Sequence, residues 1–349
     1  MSQKLFYRAF EYQKRDMARF LTEKHGFDAL YRNANPPETK RTKWFFVTQT
    51  LLDLLFLIKN RSRIKRYDHI LALWHAGLAF MLLKRLGLID YDKLLWFGFS
   101  VHGQFWTRIY RHIAKLDRKK TWFVVFTEQE IEAYRKDLGI DPAKLLFIAH
   151  GDWPQPIEVP PVFGPDPNLD LETPFYFAGG FTNRNYQPVI ETFRQSGKRL
   201  IIVCSQTNED VVDAELPENI QVFRDISFPE FELLLQASKG VIISLKHDTG
   251  AAGHSVLVRS MRNAKIVIAN DFRIMHDYVE RGVDGVLLAD MAQDLGPTIL
   301  EIESEPKKFA PIQEAAHERF KRDYSQEALE DSMSKLLFDQ WIGAEANSA

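Results

Sequence analysis

Between Lys246 and Asn270 the sequence KHDTGAAGHSVLVRSMRNAKIVIAN joins a small-residue turn to a helix and then to an apolar strand. Gly250, Ala251, Ala252 and Gly253 leave room for a ligand to approach the backbone, and a helix predicted from Ser255 to Arg262 begins with amides that have no partner inside it. Such amides suit a phosphate, although a packing turn that needs glycine has the same residues. FYFAGGFTNRNYQPVIETF, Phe175 to Phe193, offers a second anion contact. Gly179 and Gly180 allow a tight turn after a strand, and Arg184 brings a guanidinium suited to phosphate. The glycines are adjacent and no third follows, so this is not the dinucleotide G-x-G-x-x-G pattern. Lys246 is a further cation within reach of phosphate, unless it and Asp248 only decorate a solvated loop. His75 in LWHAG and His102 in FSVHG each follow an apolar strand, at the end where open α/β sheets bind ligands. A histidine there can take a proton from a hydroxyl near neutral pH, or orient a ligand by a hydrogen bond.

These residues need a sheet to carry them. In the first half the pattern predicts strands at 5–10, 70–74, 94–97, 122–126 and 145–149, with helices at 13–24, 78–86 and 105–115. In the second it predicts strands at 175–178, 200–204, 220–223, 240–245, 266–269 and 285–288, with helices at 187–193, 230–236 and 255–262, and a helical region from 311 to 341. Strands separated by helices imply parallel sheets with right-handed crossovers. Seven prolines between Trp153 and Pro174 read as a linker, with His150, Gly151 and Asp152 opening it. The expected organisation is therefore an N-terminal α/β domain over 1–152, a linker over 153–174, a second doubly wound α/β domain over 175–310, and closing helices over 311–349, with a ligand cleft between the sheet ends.

A net charge of -2 over 349 residues conceals an asymmetry. Residues 1–150 hold 27 Lys+Arg against 15 Asp+Glu, a balance of +12, and the remainder balances at -14. The single Cys204 excludes an internal disulfide and points to a reducing, cytoplasmic setting. The stretch from Trp44 to Ile58 is apolar but contains Asp53 and is shorter than the roughly 20 residues a spanning helix needs. It is followed by KNRSRIKR, Lys59 to Arg66, with five cations in eight residues. An apolar helix beside such a cluster either packs in a core or lies on an anionic membrane. Walker, H-E-x-x-H and G-x-S-x-G motifs and cysteine clusters are absent from the sequence, which removes the kinase, zinc-hydrolase and α/β-hydrolase readings.

The order of pieces resembles the GT-B glycosyltransferases, most closely the family 4-like group (glycosyl transferases group 1). FAGGFTNR, RLIIVCSQ, NIQVFRDIS, FELLLQASKGVIISL, GAAGHSVLVRSMRNAKIVIAN and DYVERGVDGVLL follow the C-terminal domain of that fold, and YDHILALWHAGLA, LLWFGFSVHG and FTEQEIEAYRKDLGIDPAKLLFIAHGD follow its N-terminal domain. The resemblance implies two Rossmann-like domains and a nucleotide-sugar donor, UDP- or GDP-linked. It places Gly179, Gly180, Arg184, Lys246 and the amides of Gly253, His254, Ser255 and Val256 at the diphosphate, with the 224–228 loop near the base. It further implies metal independence with no other cofactor, retention of anomeric configuration, and a glycan or lipid-linked acceptor held by the basic first domain. The expected partners are that donor, that acceptor and, through Trp44 to Arg66, an anionic membrane surface at the inner face of the cell membrane, with no nucleic acid. The Glu-x7-Glu pair of the group falls on Ala251 and Arg259, and an arginine cannot accept hydrogen bonds from ribose hydroxyls; by the same resemblance Asp248, three residues before Ala251, replaces the first acid in contacting the sugar. That departure leaves two alternatives standing, an inert carbohydrate- or partner-binding protein and a sugar-nucleotide epimerase.

Overall fold

The computed structural model of the protein describes residues 2–10, 17–33, 45–101, 104–113, 115–116, 119–151, 159–206, 208, 211 and 215–343. The first predicted helix begins outside these residues, as do His102, Trp44, Asp152 and the first prolines of the expected linker. Twelve strands are described: β1 Lys4–Phe10, β2 Phe27–Asn33, β3 His69–Leu73, β4 Lys93–Phe97, β5 Thr121–Val125, β6 Leu145–Phe147, β7 Tyr176–Gly179, β8 Leu200–Cys204, β9 Ile220–Arg224, β10 Gly240–Ile243, β11 Ile266–Asn270 and β12 Val286–Leu288. They form two parallel six-stranded sheets, in the orders β2-β1-β3-β4-β5-β6 and β12-β11-β10-β7-β8-β9. The chain divides into unit 1, comprising Met1–Ile148, Trp153–Gln155 and Leu329–Ala349, and unit 2, comprising Ala149–Asp152 and Pro156–Ala328.

Inner strands of both sheets are short apolar runs because helices cover them on both faces. In unit 2 alternate residues go to opposite sides, as the two-residue period of a strand requires. Phe177, Ile201, Val241, Ile243 and Val267 enter one core cluster, while Tyr176, Ala178, Ile202, Ile242 and Ile268 enter the other. Reversal of strand order opens a crevice at the carboxyl ends of the flanking strands, between β1 and β3 in unit 1 and between β7 and β10 in unit 2.

Besides short helical turns, three longer elements lie beyond the sequence expectations. β2 occupies a sheet edge, where Asp28 and Arg32 interrupt the apolar run that marks an inner strand. The helix Glu128–Leu138 is largely polar, and its signal is a capping box in which Thr127 and Glu130 exchange side-chain and backbone hydrogen bonds. The helix Met291–Ser304 buries Met291, Leu295, Ile299 and Ile302 against unit 2. The closing helices begin at Pro306 and include two π-helical turns, Phe320–Tyr324 and Leu336–Ile342.

Candidate functional site

At the switch point of unit 2, β7 ends in two glycines with separate reasons to be glycine. A β-carbon on Gly179 would stand 2.6 Å from the Phe231 ring, and one on Gly180, where φ is 121°, would run into the Arg184 guanidinium. The chain returns through Asn183, in the left-handed conformation that asparagine tolerates. Asn183 exchanges hydrogen bonds with the His247 backbone, at 2.7 and 3.1 Å, and Arg184 bridges Leu245. The loop after β7 and the loop after β10 are thereby zipped together.

Arg184 is only 4% exposed. Its Nε donates to the Gly179 carbonyl and its Nη1 to the Thr182 carbonyl, each at 3.0 Å, and no carboxylate pairs with it among the described residues. Burial pulls its pKa below the ordinary arginine value. A guanidinium in that setting is an unneutralised charge, costly until an anion arrives.

The helix His254–Arg262 starts beside it. Gly253 takes φ 89° at the N-cap and supplies no side-chain cap, and the first bond closing this helix runs from the Leu257 amide to the Gly253 carbonyl. The amides of His254, Ser255 and Val256 therefore precede the intrahelical ladder. A β-carbon on Gly253 would lie 2.9 Å from Ile243, 3.2 Å from Met275 and 3.7 Å from Arg184 Nη1. Gly179, Gly180, Arg184, Gly253, His254 and Ser255 are thus brought together, at the position the strand order favours for a ligand.

His254 is buried, with Nε2 2.7 Å from the Ile274 carbonyl and its ring 4.3 Å from that of Tyr278. Burial pushes its pKa down to about 3, with His150 and Arg184 adding to the effect, so the ring is neutral. A neutral ring donating through Nε2 leaves Nδ1 as an acceptor, and Nδ1 has no hydrogen-bond partner among the described residues. The Ser244 hydroxyl at the end of β10 is likewise buried and unpartnered. Arg259, one turn along the helix from Ser255, lays its guanidinium over the Phe228 ring at 4.1 Å.

Two candidates are placed differently. Lys246 is exposed at the rim and uses its amide to bond the Asn183 carbonyl. The Asp248 carboxylate accepts from the amides of Arg273 and Ile274, at 3.1 and 3.2 Å, and so fixes the segment that binds His254.

Unit 1 carries its own polar cluster at the β1/β3 switch point. Asp53, fully buried, accepts from Tyr7 and from Arg32 Nε, each at 2.8 Å, and Arg32 also bonds Gln49. Burial, with Asp53 beside it, pushes the Tyr7 phenol far above its ordinary range, so it remains a donor. His75 Nε2 lies 3.1 Å from Asp53 Oδ2 at an angle that forms no hydrogen bond. Asp53 is the residue the sequence reading passed over; the signal was a lone carboxylate within an apolar helix.

That helix, Phe45–Lys59, turns Leu51, Leu52, Leu55 and Ile58 outward, with Leu51 56% and Leu55 66% exposed. Lys59, Arg61, Arg63, Lys65 and Arg66 follow and are exposed. No described helix is long and apolar enough to cross a membrane.

No family model and no curated protein matches the chain in sequence. Solved structures do match over nearly the whole length. Sucrose-phosphate synthase from Thermosynechococcus elongatus aligns at TM-score 0.71 and 14% identity, covering 99% of this chain and 100% of its own. Anabaena HepE in complex with UDP-glucose aligns at 0.65 and 14%, covering 97% and 100%. WaaG, a glycosyltransferase involved in lipopolysaccharide biosynthesis, aligns at 0.62 and 12%, covering 95% and 99%. The chain has the GT-B fold. The GT-B likeness, at this identity, establishes architecture, and chemistry has to be argued from the site itself.

Proposed function

We propose that this GT-B protein is a glycosyltransferase that takes a sugar from a nucleotide-sugar donor bound at the carboxyl end of the unit 2 sheet. One observation carries the reading: the buried guanidinium of Arg184, with no carboxylate partner among the described residues, meets the uncapped helix start at Gly253. A diphosphate supplies the negative charge that both lack. As the glycosidic bond breaks, charge grows on the departing diphosphate, and preorganised amides and a guanidinium stabilise it where they already stand. The charge is met by the protein's own groups, so the reading requires no metal. The HepE structures that share the fold hold UDP, or UDP-glucose, in keeping with such a donor.

Arg259, over Phe228, takes the place where a ribose-binding glutamate would stand, and the 224–228 loop lies on the side of the base. The acceptor, a glycan or lipid-linked precursor, belongs to unit 1, where His75 is the group to take the hydroxyl proton. Docking on the inner face of a membrane is supported by the outward leucines of Phe45–Lys59 and the cations after them.

Purified protein incubated with labelled UDP-, GDP- and dTDP-sugars and a lipid extract tests the assignment. Transfer of label to an extractable product is expected. Release of a rearranged sugar without acceptor would make the protein an epimerase, and donor binding without turnover would make it the inert binder that Ala251 and Arg259 favour.

A further inference from the structure

Trp74 stands at the carboxyl end of β3 with φ 55°, a left-handed conformation that a bulky residue adopts only when its surroundings enforce it. Its amide donates to the Phe97 carbonyl at 2.9 Å, which registers the position to the end of the neighbouring strand β4. The indole lies against Gly98: its Cδ2 and Cε2 are 3.7 and 3.8 Å from where a β-carbon at 98 would stand, and Phe126 Cε2 is 3.8 Å from the same point. Supported in this way, the residue is nevertheless 53% exposed. Core packing does not explain it, because a core would cover the indole. Turn geometry does not call for an indole either, because the other left-handed positions described are filled by glycine or by the smaller Asn183, Asp225 and Ala264.

The neighbouring residue supplies the polar half of a site. His75 follows directly, with Nε2 3.1 Å from Asp53 Oδ2 but without a hydrogen-bond partner among the described residues. Asp53 is itself fixed by Tyr7 and Arg32. A flat aromatic surface beside an imidazole with an unused ring nitrogen, at the switch point of a parallel sheet, matches the two surfaces of a pyranose ring. The C–H face of the sugar is apolar and covers an indole, while hydroxyls at the ring edge need a polar partner.

We propose that Trp74 is the stacking platform of a saccharide subsite in unit 1, with His75 receiving a hydroxyl of the same sugar. That this sugar is the acceptor rests on the glycosyl-transfer reading; that a saccharide binds here does not.

The test uses the full chain labelled with 5-fluorotryptophan, its Trp74 fluorine resonance assigned by Trp74→Phe. Maltose, cellobiose, lactose and N,N'-diacetylchitobiose are titrated in turn, and UDP separately. At least one disaccharide is expected to shift the Trp74 resonance, with its Kd raised about tenfold or more in Trp74→Ala and held within about threefold in Trp74→Phe. UDP should bind all three proteins alike and leave the Trp74 resonance in place. The proposal fails if no disaccharide moves that resonance, if Trp74→Ala binds as the parent does, or if UDP moves it, which would make the indole a nucleobase platform. Absence of UDP binding to the parent would remove the donor assignment in unit 2 and leave the disaccharide result to be read on its own.

Discussion

Arg184 Nη1 lies 3.7 Å from the point where a β-carbon of Gly253 would be placed. A guanidinium from the loop after β7 and an uncapped helix start from the loop after β10 therefore share one volume, and any anion held by one is within reach of the other. Isolated, each has a bland explanation. Together they leave positive charge without its counterpart, in a crevice where strand order reverses.

Replacing Arg184 by alanine should weaken UDP binding by about 1.5–3 kcal/mol, the worth of a hydrogen bond to a charged group. Arg184→Met should separate binding from folding. It removes a buried charge with no carboxylate partner, so the ligand-free protein is expected to melt no lower than the parent while UDP affinity is lost. Calorimetric titration and thermal unfolding give the two readouts; undiminished affinity in a folded variant removes Arg184 from the site.

Gly180 and Gly197 make an internal comparison. Both have positive φ, but a β-carbon at 180 meets the Arg184 guanidinium and one at 197 meets nothing within 4 Å. Each alanine substitution should cost about 1 kcal/mol of stability for the backbone alone. Only Gly180→Ala should also reduce UDP affinity, by displacing the guanidinium. Equal affinities in the two variants would show that the position of Arg184 does not matter to the ligand.

His254, its pKa lowered to about 3, and His150, lowered to about 4, are both neutral in the native protein, chiefly because they are buried. In the unfolded chain both take a proton near the ordinary histidine value. The stability this gives is whole above about pH 6.5 and is lost as pH falls toward those lowered values, at about 1.4 kcal/mol per pH unit for each ring. Urea unfolding between pH 7 and 5 should show falling stability, with a shallower fall by one such increment in His254→Gln. An unchanged slope would mean that His254 does not titrate differently on folding.

Membrane docking predicts a distinctive mutational pattern. Leu55→Glu alters an outward side chain, so folding stability should change by no more than about 0.5 kcal/mol. Sedimentation with anionic vesicles should nevertheless be abolished. Charge reversal at Arg61, Arg63, Lys65 and Arg66 should remove about 1 kcal/mol of binding per residue, and salt should weaken the parent in the same way. Equal pelleting with neutral and anionic vesicles would sink the electrostatic part of the proposal.

What could be read in advance followed from local physics. The glycine turns at 179–180 and 250–253 and the apolar runs of the inner strands announce themselves in a few consecutive residues, which is why most strands fall within a residue or two of expectation. Asp53 was harder, because its meaning depends on Tyr7 and Arg32 in two other elements. Asp248 shows the converse. Its place near the glycine turn suggested sugar contact, and only the fold reveals that Arg273 and Ile274 present their amides to it. Edge position hid β2, since an edge strand has no need of a continuous apolar run.

Unit 1 is assembled from both ends of the sequence. Lys93 Nζ donates to the carbonyls of Trp341 and Ile342, at 3.0 Å each, Trp341 is fully buried, and the hydroxyl of Ser334 lies 3.1 Å from His25 Nε2. A ribosome releases all of unit 2 before it releases these partners. At roughly 5–20 residues per second the interval from Ile148 to Trp341 is about 10–40 s, long compared with the folding time of most single domains. Unit 2 can therefore be native while the nascent chain still carries an unfinished unit 1, with Lys93 lacking these two carbonyls and a bare place where Trp341 will lodge. The order of birth is then the reverse of the order of sequence: the unit that starts first is the one completed last.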